Sequence, residues 1–293
     1  MARDPVPSDA VSLALQRLLR RLQGRDLEGK LAAVEQERRQ APILVAELLT
    51  LPAPRQPAAA ASARYASPEV VWELLEVSRG EAPPAALRQL ALARKIALHL
   101  AALRPRAALH VQLRVEVSCE IAHRLLDGGD AAAAAAPLRE AAAELRPDLG
   151  YGRAAYCRAL ARLRRAERSW EEALALAERA VRLLDAHGSP AEAAAAEVEQ
   201  AWLLLDAGDA DEAVPVFERA LPRVEPMPYP AVTCRLGLAL ALVESGQGGD
   251  RPRIDRLLSE AEWMIGQASA SGDLPRLRWL AAQALARYHL ATG

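Results

Sequence analysis

Two stretches of this chain, DGGDAAAAAAPLREA (127–141) and DAGDADEAVPVFERA (206–220), share one pattern. In both, glycine is the third residue, aspartate the fourth, alanine the eighth, a large apolar residue the twelfth and alanine the fifteenth. Two further stretches contain the second half of this pattern, in which two small or apolar residues are seven positions apart. They are RRAERSWEEALALAERA (164–180) and RPRIDRLLSEAEW (251–263). A pattern that recurs four times indicates a fold built from stacked copies of one unit.

The small residues of the repeat recur at intervals of 38–41 residues. In the second half of the copies the first small or apolar position is occupied by Ala134, Ala173, Ala213 and Ile254. Seven residues later come Ala141, Ala180, Ala220 and Ala261. The first half of the copies contains Ala122, Ala161, Ala201 and Ala239. Because alanine is the best helix former and lets helices approach closely, each copy is predicted to be a pair of packed helices.

Polar residues mark where the second helix of a pair begins. Ser169 with Glu172 has the spacing of a capping box, and Asp209 with Glu212 has the same spacing with an acidic cap. Asp130 is also predicted to cap a helix.

Glycine and proline indicate turns and distortions. Gly129, Gly208 and Gly246 fall between the two helices of a pair, where a turn needs a permissive backbone. Pro137 and Pro215 fall inside second helices, where each removes one backbone hydrogen bond and is expected to kink the helix.

This pattern resembles the tetratricopeptide repeat family. The third copy matches it best, with Ala201, Leu204, Gly208, Ala213, Phe217, Ala220 and Pro226. The second copy departs from it, with Arg168 where glycine is usual. The period exceeds the usual length of about 34 residues, and long-period versions resemble sensor domains of bacterial transcription activators. The resemblance covers roughly residues 110–270 and implies an all-α, right-handed α-solenoid of antiparallel helix pairs.

The predicted organisation has three parts. Residues 1–51 form a helical segment, with apolar residues at helical spacing in 9–23 and 27–51, and residues 52–67 form a Pro/Ala-rich linker or loop. Residues 68–293 form the domain that resembles tetratricopeptide repeats (TPR-like domain). It begins with a helix pair that matches the repeat pattern poorly and ends with a capping helix at 274–290.

Composition narrows the classes of function. The chain has 37 basic and 38 acidic residues, which argues against a nucleic-acid partner. One Phe, five Trp and five Tyr argue against a β-sheet protein. Because no uncharged apolar run reaches about 18 residues, we predict no membrane span.

The amino terminus and the cysteines favour the cytoplasm. The first ten residues, MARDPVPSDA, lack the apolar core of a secretory signal. Cys119, Cys157 and Cys234 are widely spaced and odd in number, which favours reduced thiols. Phosphate-binding loops, H-E-x-x-H and C-x-x-C are absent from the sequence, so we predict no cofactor, no metal and no enzymatic activity.

In tetratricopeptide proteins the first helix of each pair lines an inner groove. Carried over position by position, the resemblance implies a groove lined by Glu116, Cys119, His123, Arg158, Arg162, Val198 and Trp202. Glu116, Cys119 and His123 share one helical face, as metal ligands would, but no second pair of ligands is visible and packing is favoured. Trp202 is predicted either to bind the partner in the groove or to pack in the core.

Arg158, Arg162 and Arg165 follow helical spacing and form an arginine ladder. One interpretation is an anchor for a carboxylate or an acidic peptide, because a guanidinium binds a carboxylate with two hydrogen bonds. The other is a solvated face paired with Glu167, Glu171 or Glu172.

The resemblance implies a non-enzymatic scaffold or adaptor that binds a partner protein or peptide of acidic character on its concave face. The alternative is a sensor or regulatory subunit of a bacterial transcription or signalling system, although residues 1–50 contain no convincing helix-turn-helix. An RNA-binding helical solenoid is a third hypothesis, which the balanced charge and scarce aromatic residues disfavour.

Overall fold

A computed structural model describes residues 27–103, 107–246, 251–267 and 274–292 of the chain. The predicted helix at 9–23 lies outside these residues. The described residues are helical and contain no strand; the α-helices are α1 (Leu27–Thr50), α2 (Gln56–Ala60), α3 (Pro68–Arg79), α4 (Pro83–Leu103), α5 (Ala108–Asp127), α6 (Ala131–Glu144), α7 (Gly150–Ala166), α8 (Trp170–Ala186), α9 (Pro190–Ala207), α10 (Ala210–Val224), α11 (Pro228–Glu244), α12 (Arg251–Gln267) and α13 (Leu274–Thr292). Among them, no helix is both long enough and apolar enough to cross a membrane.

The helices pack as antiparallel pairs along the chain. We call the first helix of each pair an A helix (α3, α5, α7, α9 and α11, continued by α13) and the second a B helix (α4, α6, α8, α10 and α12). Each B helix contacts its own A helix, and helix α1 packs against α3. The prediction of an all-α fold built from successive helix pairs is confirmed for the described residues.

The repeat positions found in the sequence form the centre of this packing. All twelve are at most 3% exposed, on the A helices as well as the B helices. All but Ile254 are alanine, so the neighbouring helix backbones can approach one another closely. The spacing of alanine in the sequence is therefore the spacing of the helix contacts.

Three turns between the helices of a pair have the same geometry. The residue before the next helix donates its backbone N–H to a carbonyl five residues back, as in Asp130 to Leu125 (2.9 Å) and Asp209 to Leu204 (2.9 Å). Gly208 precedes this residue with a φ of 94°. In the second copy the same turn contains Arg168 at a φ of 62°, a conformation that disfavours side chains.

The helix caps were predicted correctly in one copy and wrongly in two. The Asp130 carboxylate accepts a hydrogen bond from the Ala133 N–H at 2.9 Å, as expected. The side chains of Ser169 and Asp209 make no capping hydrogen bond. At both, the backbone N–H that a capping box would use already bonds to the preceding helix, and Arg164 holds the Glu172 carboxylate at 2.6 Å.

The stretch predicted as a linker or loop, 52–67, contains helix α2 and a 3-10 turn (Ala63–Tyr65). Ala60 and Tyr65 are buried, so this stretch packs into the core. Proline at the start of α2 favours the helix, because the first turn needs no N–H donor there. Helices α6 and α10 continue through Pro137 and Pro215.

Candidate partner-binding groove

The A helices line one groove with a volume of about 1010 Å³. Side chains from α3, α5, α7, α9, α11 and α13 contribute to its wall. All the residues expected there from the sequence do line it, namely Glu116, Cys119, His123, Arg158, Arg162, Arg165, Val198 and Trp202. The groove therefore gathers residues that are more than eighty positions apart in the chain.

The repeat explains why these residues meet. The residue after the small position of each A helix lies in the groove wall in all four copies: His123, Arg162, Trp202 and Leu240. Because the small residue faces the partner helix of its pair, the next residue lies beside that contact and faces the groove. This row is charged or polar in the first two copies and apolar in the last two.

The arginine ladder is paired within the fold. Arg158 donates two hydrogen bonds to the Glu199 carboxylate at 2.7 and 2.8 Å. Arg165 lies 2.5 Å from Asp206, and Arg162 lies 3.9 Å from Asp127.

These carboxylates belong to the neighbouring A helices α5 and α9. The expected pairing of the ladder with Glu167, Glu171 or Glu172 is therefore wrong for the three ladder arginines. It is Arg164 that contacts Glu167 and Glu172. A helix face seen in isolation shows only its own acidic neighbours, whereas in the fold the next helix is closer.

The Arg158–Glu199 pair shifts the pKa of both partners. Glu199 raises the pKa of Arg158 above its ordinary value. Burial opposes ionisation of Glu199, but Arg158, with a smaller contribution from Arg162, lowers the pKa of this carboxyl to about 2. Both residues are therefore charged at neutral pH, and their ion pair joins α7 to α9 across the groove.

His123 lies beside this pair, with little of its side chain exposed. Burial lowers its pKa, and the positive charge of Arg162 acts in the same direction. Glu120 opposes this effect from 3.7 Å at Nδ1 and also binds Arg124 at 2.7 Å. The imidazole Nε2 is buried without a hydrogen-bond partner. The histidine is therefore neutral at pH 7.

Glu116 and Cys119 do not form a metal site with His123. Trp72 Nε1 donates to the Glu116 carboxylate at 3.3 Å, and Gln112 Nε2 donates to it at 2.7 Å. Cys119 is 2% exposed and packs in the core between α5, α6 and α7, where burial raises its pKa. In the described ranges, no three or more His, Cys, Asp and Glu side chains are grouped so that they could hold a metal ion.

The two apolar candidates differ in their burial. Val198 is 3% exposed and belongs to the core. Trp202 is half-buried; its Nε1 donates to the Thr233 carbonyl at 3.2 Å, and its ring meets Phe217 edge-on at 6.0 Å. Trp202 therefore belongs to the core on one side and to the groove wall on the other.

Sequence reasoning missed several groove residues, notably Trp72, Tyr151, Glu192, Tyr229 and Trp279. Tyr151 and Tyr229 stand ten residues before the small position of their A helices, so the repeat register contained a signal for them. Trp72 and Trp279 had none, because α3 and α13 lie outside the four clear copies.

The site and the fold define a class of protein, an all-α helical-repeat protein with a groove on its A-helix face. No family model and no curated protein matches the chain. Two crystal structures of a candidate kinesin light chain from Podosopora anserina, with nearly identical TPR-like repeats, are similar to it. They have 19% and 20% identity and TM-scores of 0.45 and 0.44, and the matches cover 68% and 70% of this chain and 96% and 99% of those chains.

Proposed function

We propose that this protein is a non-enzymatic adaptor that binds an extended segment of a partner protein in the A-helix groove. The observation that carries the proposal is the groove itself, a single continuous cavity lined by all six A helices. Its volume is at the upper end of the range for pockets that bind small ligands, and its elongated wall suits a peptide.

The exposed side chain of Trp279 supports this proposal. Trp279 lines the groove and is 59% exposed, although tryptophan is costly to leave in water. Aromatic residues supply much of the binding energy of protein interfaces. The location of Trp279 in the groove suits a site that is covered when the partner binds.

The matched pair Trp279 and Trp263 allows a direct test. Trp263 is 67% exposed but lies on the B helix α12, outside the groove wall. We would select binders from a displayed library of random twelve-residue peptides and measure their affinities for Trp279→Ser and Trp263→Ser. Loss of a tryptophan from an interface costs about 2 kcal/mol or more, so Trp279→Ser should weaken binding at least about 30-fold.

The control variant Trp263→Ser should bind the selected peptides as the unsubstituted protein does. The proposal would be abandoned if the library yields no specific binder, or if both substitutions affect binding equally. Preferential binding of single-stranded RNA over every peptide at physiological salt would instead favour the RNA-binding hypothesis.

The expected acidic character of the partner depends on the arginine ladder. Each ladder guanidinium has a carboxylate of a neighbouring helix within 4.0 Å, so an acidic segment would have to compete with Glu199, Asp127 and Asp206. The sequences of the selected peptides test this, because acidic residues should be enriched among them if the competition is won.

A further inference from the structure

One edge of the groove carries aromatic and acidic side chains. They lie in the first half of successive A helices and comprise Trp72, Glu116, Tyr151, Glu192, Tyr229 and Trp279, one residue per helix from α3 to α13. We call this row the aromatic–acidic edge. The opposite edge, towards the carboxyl ends of the same helices, carries Arg79, Arg124, Arg165 and Arg287.

The charges of the two edges are balanced differently. Each arginine of the opposite edge has a carboxylate partner, in the pairs Arg79–Glu76, Arg124–Glu120, Arg165–Asp206 and Arg287–Glu244. Among the residues that the structure describes, no cationic side chain forms an ion pair with Glu116 or Glu192 within 4.0 Å. The uncompensated charge of the groove is therefore negative and lies on the aromatic–acidic edge.

The Glu116 carboxylate can accept further hydrogen bonds. Trp72 and Gln112 each donate one hydrogen bond to a different oxygen of its carboxylate. A carboxylate has about four acceptor positions, so about two remain. Burial raises the pKa of Glu116 despite these hydrogen bonds, and a cation at the carboxylate would favour its charged form.

The aromatic members of the row suit the same kind of ligand. The face of a tryptophan or tyrosine ring attracts a lysine ammonium or an arginine guanidinium. Tyr151 lies on α7, between the helices that carry Glu116 and Glu192, and burial with the nearby charge of Glu192 raises its pKa. Rings and carboxylates thus alternate along the row from Trp72 to Tyr229, as in sites that bind cations through both.

We propose that the aromatic–acidic edge binds a basic segment of the partner, with lysine or arginine side chains at Glu116 and Glu192. This inference rests on the proposed function, because it names the chemistry of the segment that occupies the same groove. A free amino terminus has the same ammonium chemistry as a lysine, and the experiment below separates the two sources.

The two carboxylates also act on each other. Glu116 and Glu192 lie on α5 and α9, and both line the groove. After burial and the hydrogen bonds, the charge of Glu192 also contributes to the pKa of Glu116 and raises it. Because interactions between charges are largely screened beyond about 10 Å, one short basic stretch of the partner can reach both carboxylates.

The test uses the full chain and labelled peptides of designed sequence. The probe is a fluorescein-labelled, amino-terminally acetylated peptide of serine and glycine that contains two lysines. A second peptide has glutamates in their place, and a third has a free amino terminus and no lysine. Fluorescence anisotropy gives the dissociation constants at low and physiological salt.

We expect the lysine peptide to bind at least about tenfold more tightly than the glutamate peptide. The variants Glu116→Gln and Glu192→Gln should each weaken its binding about threefold to tenfold, since each removes one partly exposed charge pair. The matched control is Glu262→Gln on the B helix α12, which should leave the dissociation constant unchanged. Circular dichroism verifies that all three variants are folded.

Equal binding of the lysine and glutamate peptides would overturn the inference, as would unchanged affinity in both groove variants. Tighter binding of the peptide with a free amino terminus would assign the site to a chain end and overturn the lysine or arginine assignment. If library peptides bind in the groove and depend on Trp279 but not on Glu116 or Glu192, only this inference fails. If no peptide of any kind binds, the proposed function fails with it.

Discussion

The middle of the solenoid and its carboxyl-terminal part are held together in different ways. Where α7, α8 and α9 meet, the core consists of small clusters in which alanine predominates, such as Ala161, Ala173 and Ala177 with Leu203. From α9 to α13, one continuous cluster fills the space between the helices, with Phe217 fully buried in it. The apolar core is therefore thin in the middle and thick at the carboxyl-terminal end.

Ion pairs connect helices in both regions. The bidentate Arg158–Glu199 pair and the Arg165–Asp206 pair link α7 directly to α9. At the carboxyl-terminal end, the buried Arg235 binds Glu225 and Glu260. An alanine buries little apolar area, and each methylene contributes only about 0.8 kcal/mol, so a core of alanines stabilises the packing of α7 and α9 weakly. The two regions therefore differ in the thickness of their apolar core and not in the presence of ion pairs.

The largest expected effect is in the dense part. Phe217→Ala should lower the free energy of unfolding by about 3–5 kcal/mol, because it removes a fully buried aromatic ring and leaves a cavity. The substitution Ala177→Gly, in the thin middle, should lower the free energy of unfolding by less, about 1 kcal/mol. Urea denaturation followed by circular dichroism measures both, and similar losses in the two variants would refute the difference in packing.

The pair Phe217 and Gly237 gives a control for this prediction. A Cβ at Gly237 would lie 2.3 Å from the Phe217 ring, so Gly237→Ala should be destabilising by itself. Combined with Phe217→Leu it should cost less than the sum of the two single changes, because the smaller side chain makes room. Additive losses would show that the two positions are not in contact.

The next largest effect is in the middle. Arg158→Ala should cost about 1–2 kcal/mol at pH 7, less than breaking a fully buried pair, because about a third of each side chain is exposed. The exchanged pair, Arg158→Glu with Glu199→Arg, should recover most of this loss. No recovery would mean that the individual positions matter rather than the ion pair.

The same pair predicts a dependence on pH. The folded pKa of Glu199 is about 2, below the value of about 4.3 for an unfolded glutamate. A lowered carboxyl pKa stabilises the fold fully above the unfolded value, and this contribution is lost as the pH falls towards 2. The coupling energy from a double-mutant cycle should therefore be present at pH 7 and greatly reduced at pH 2.5, and a constant value would contradict the assignment.

A smaller effect is expected in the turn before α8. Arg168 has a φ of 62° where the corresponding turn before α10 has glycine at 94°. Arg168→Gly should raise the free energy of unfolding by about 0.5–1 kcal/mol, because it removes backbone strain, whereas Gly208→Ala should lower it by about 1 kcal/mol. Thermal denaturation of both variants decides the matter, and a loss of stability in Arg168→Gly would show that the side chain outweighs the strain.

The smallest effect concerns His123, which faces Glu120, Arg162 and Glu199. Because burial lowers its pKa in the folded protein, the unfolded chain takes up a proton first as the pH falls below 6.5. The unsubstituted protein should therefore lose more stability between pH 7 and pH 5 than His123→Gln does, by a fraction of a kcal/mol. Parallel pH profiles of the two proteins would show that this histidine does not titrate differently on folding.

Much of the fold was predictable because the repeat is a local property. The spacing of Ala134, Ala173 and Ala213 marked the helix contacts, since in helix pairs the small side chains must face one another. The packing of residues 52–67 was not predictable, because composition alone does not distinguish a loop from a short helix buried by its neighbours. The capping boxes predicted at Ser169 and Asp209 do not form, because the backbone N–H of each residue already donates to a carbonyl of the preceding helix.

The candidate site was predictable in position but not in charge. The register that placed His123, Arg162 and Trp202 in the groove follows directly from the repeat. The partners of the arginines do not follow from it, because Glu199 lies 41 residues from Arg158 in the chain and meets it only in the packed solenoid. A basic ladder in the sequence thus became a neutral network in the fold.

The sequence by itself determined the helix pairs, their register and the face of each A helix that lines the groove. These depend on local backbone preferences and on the size of the side chain at each repeat position, which act over a few residues. Only the tertiary structure decided which charges cancel and which remain. Electrostatic balance depends on distances between neighbouring helices, and in this groove it leaves the arginines paired and the carboxylates of Glu116 and Glu192 open to a cation.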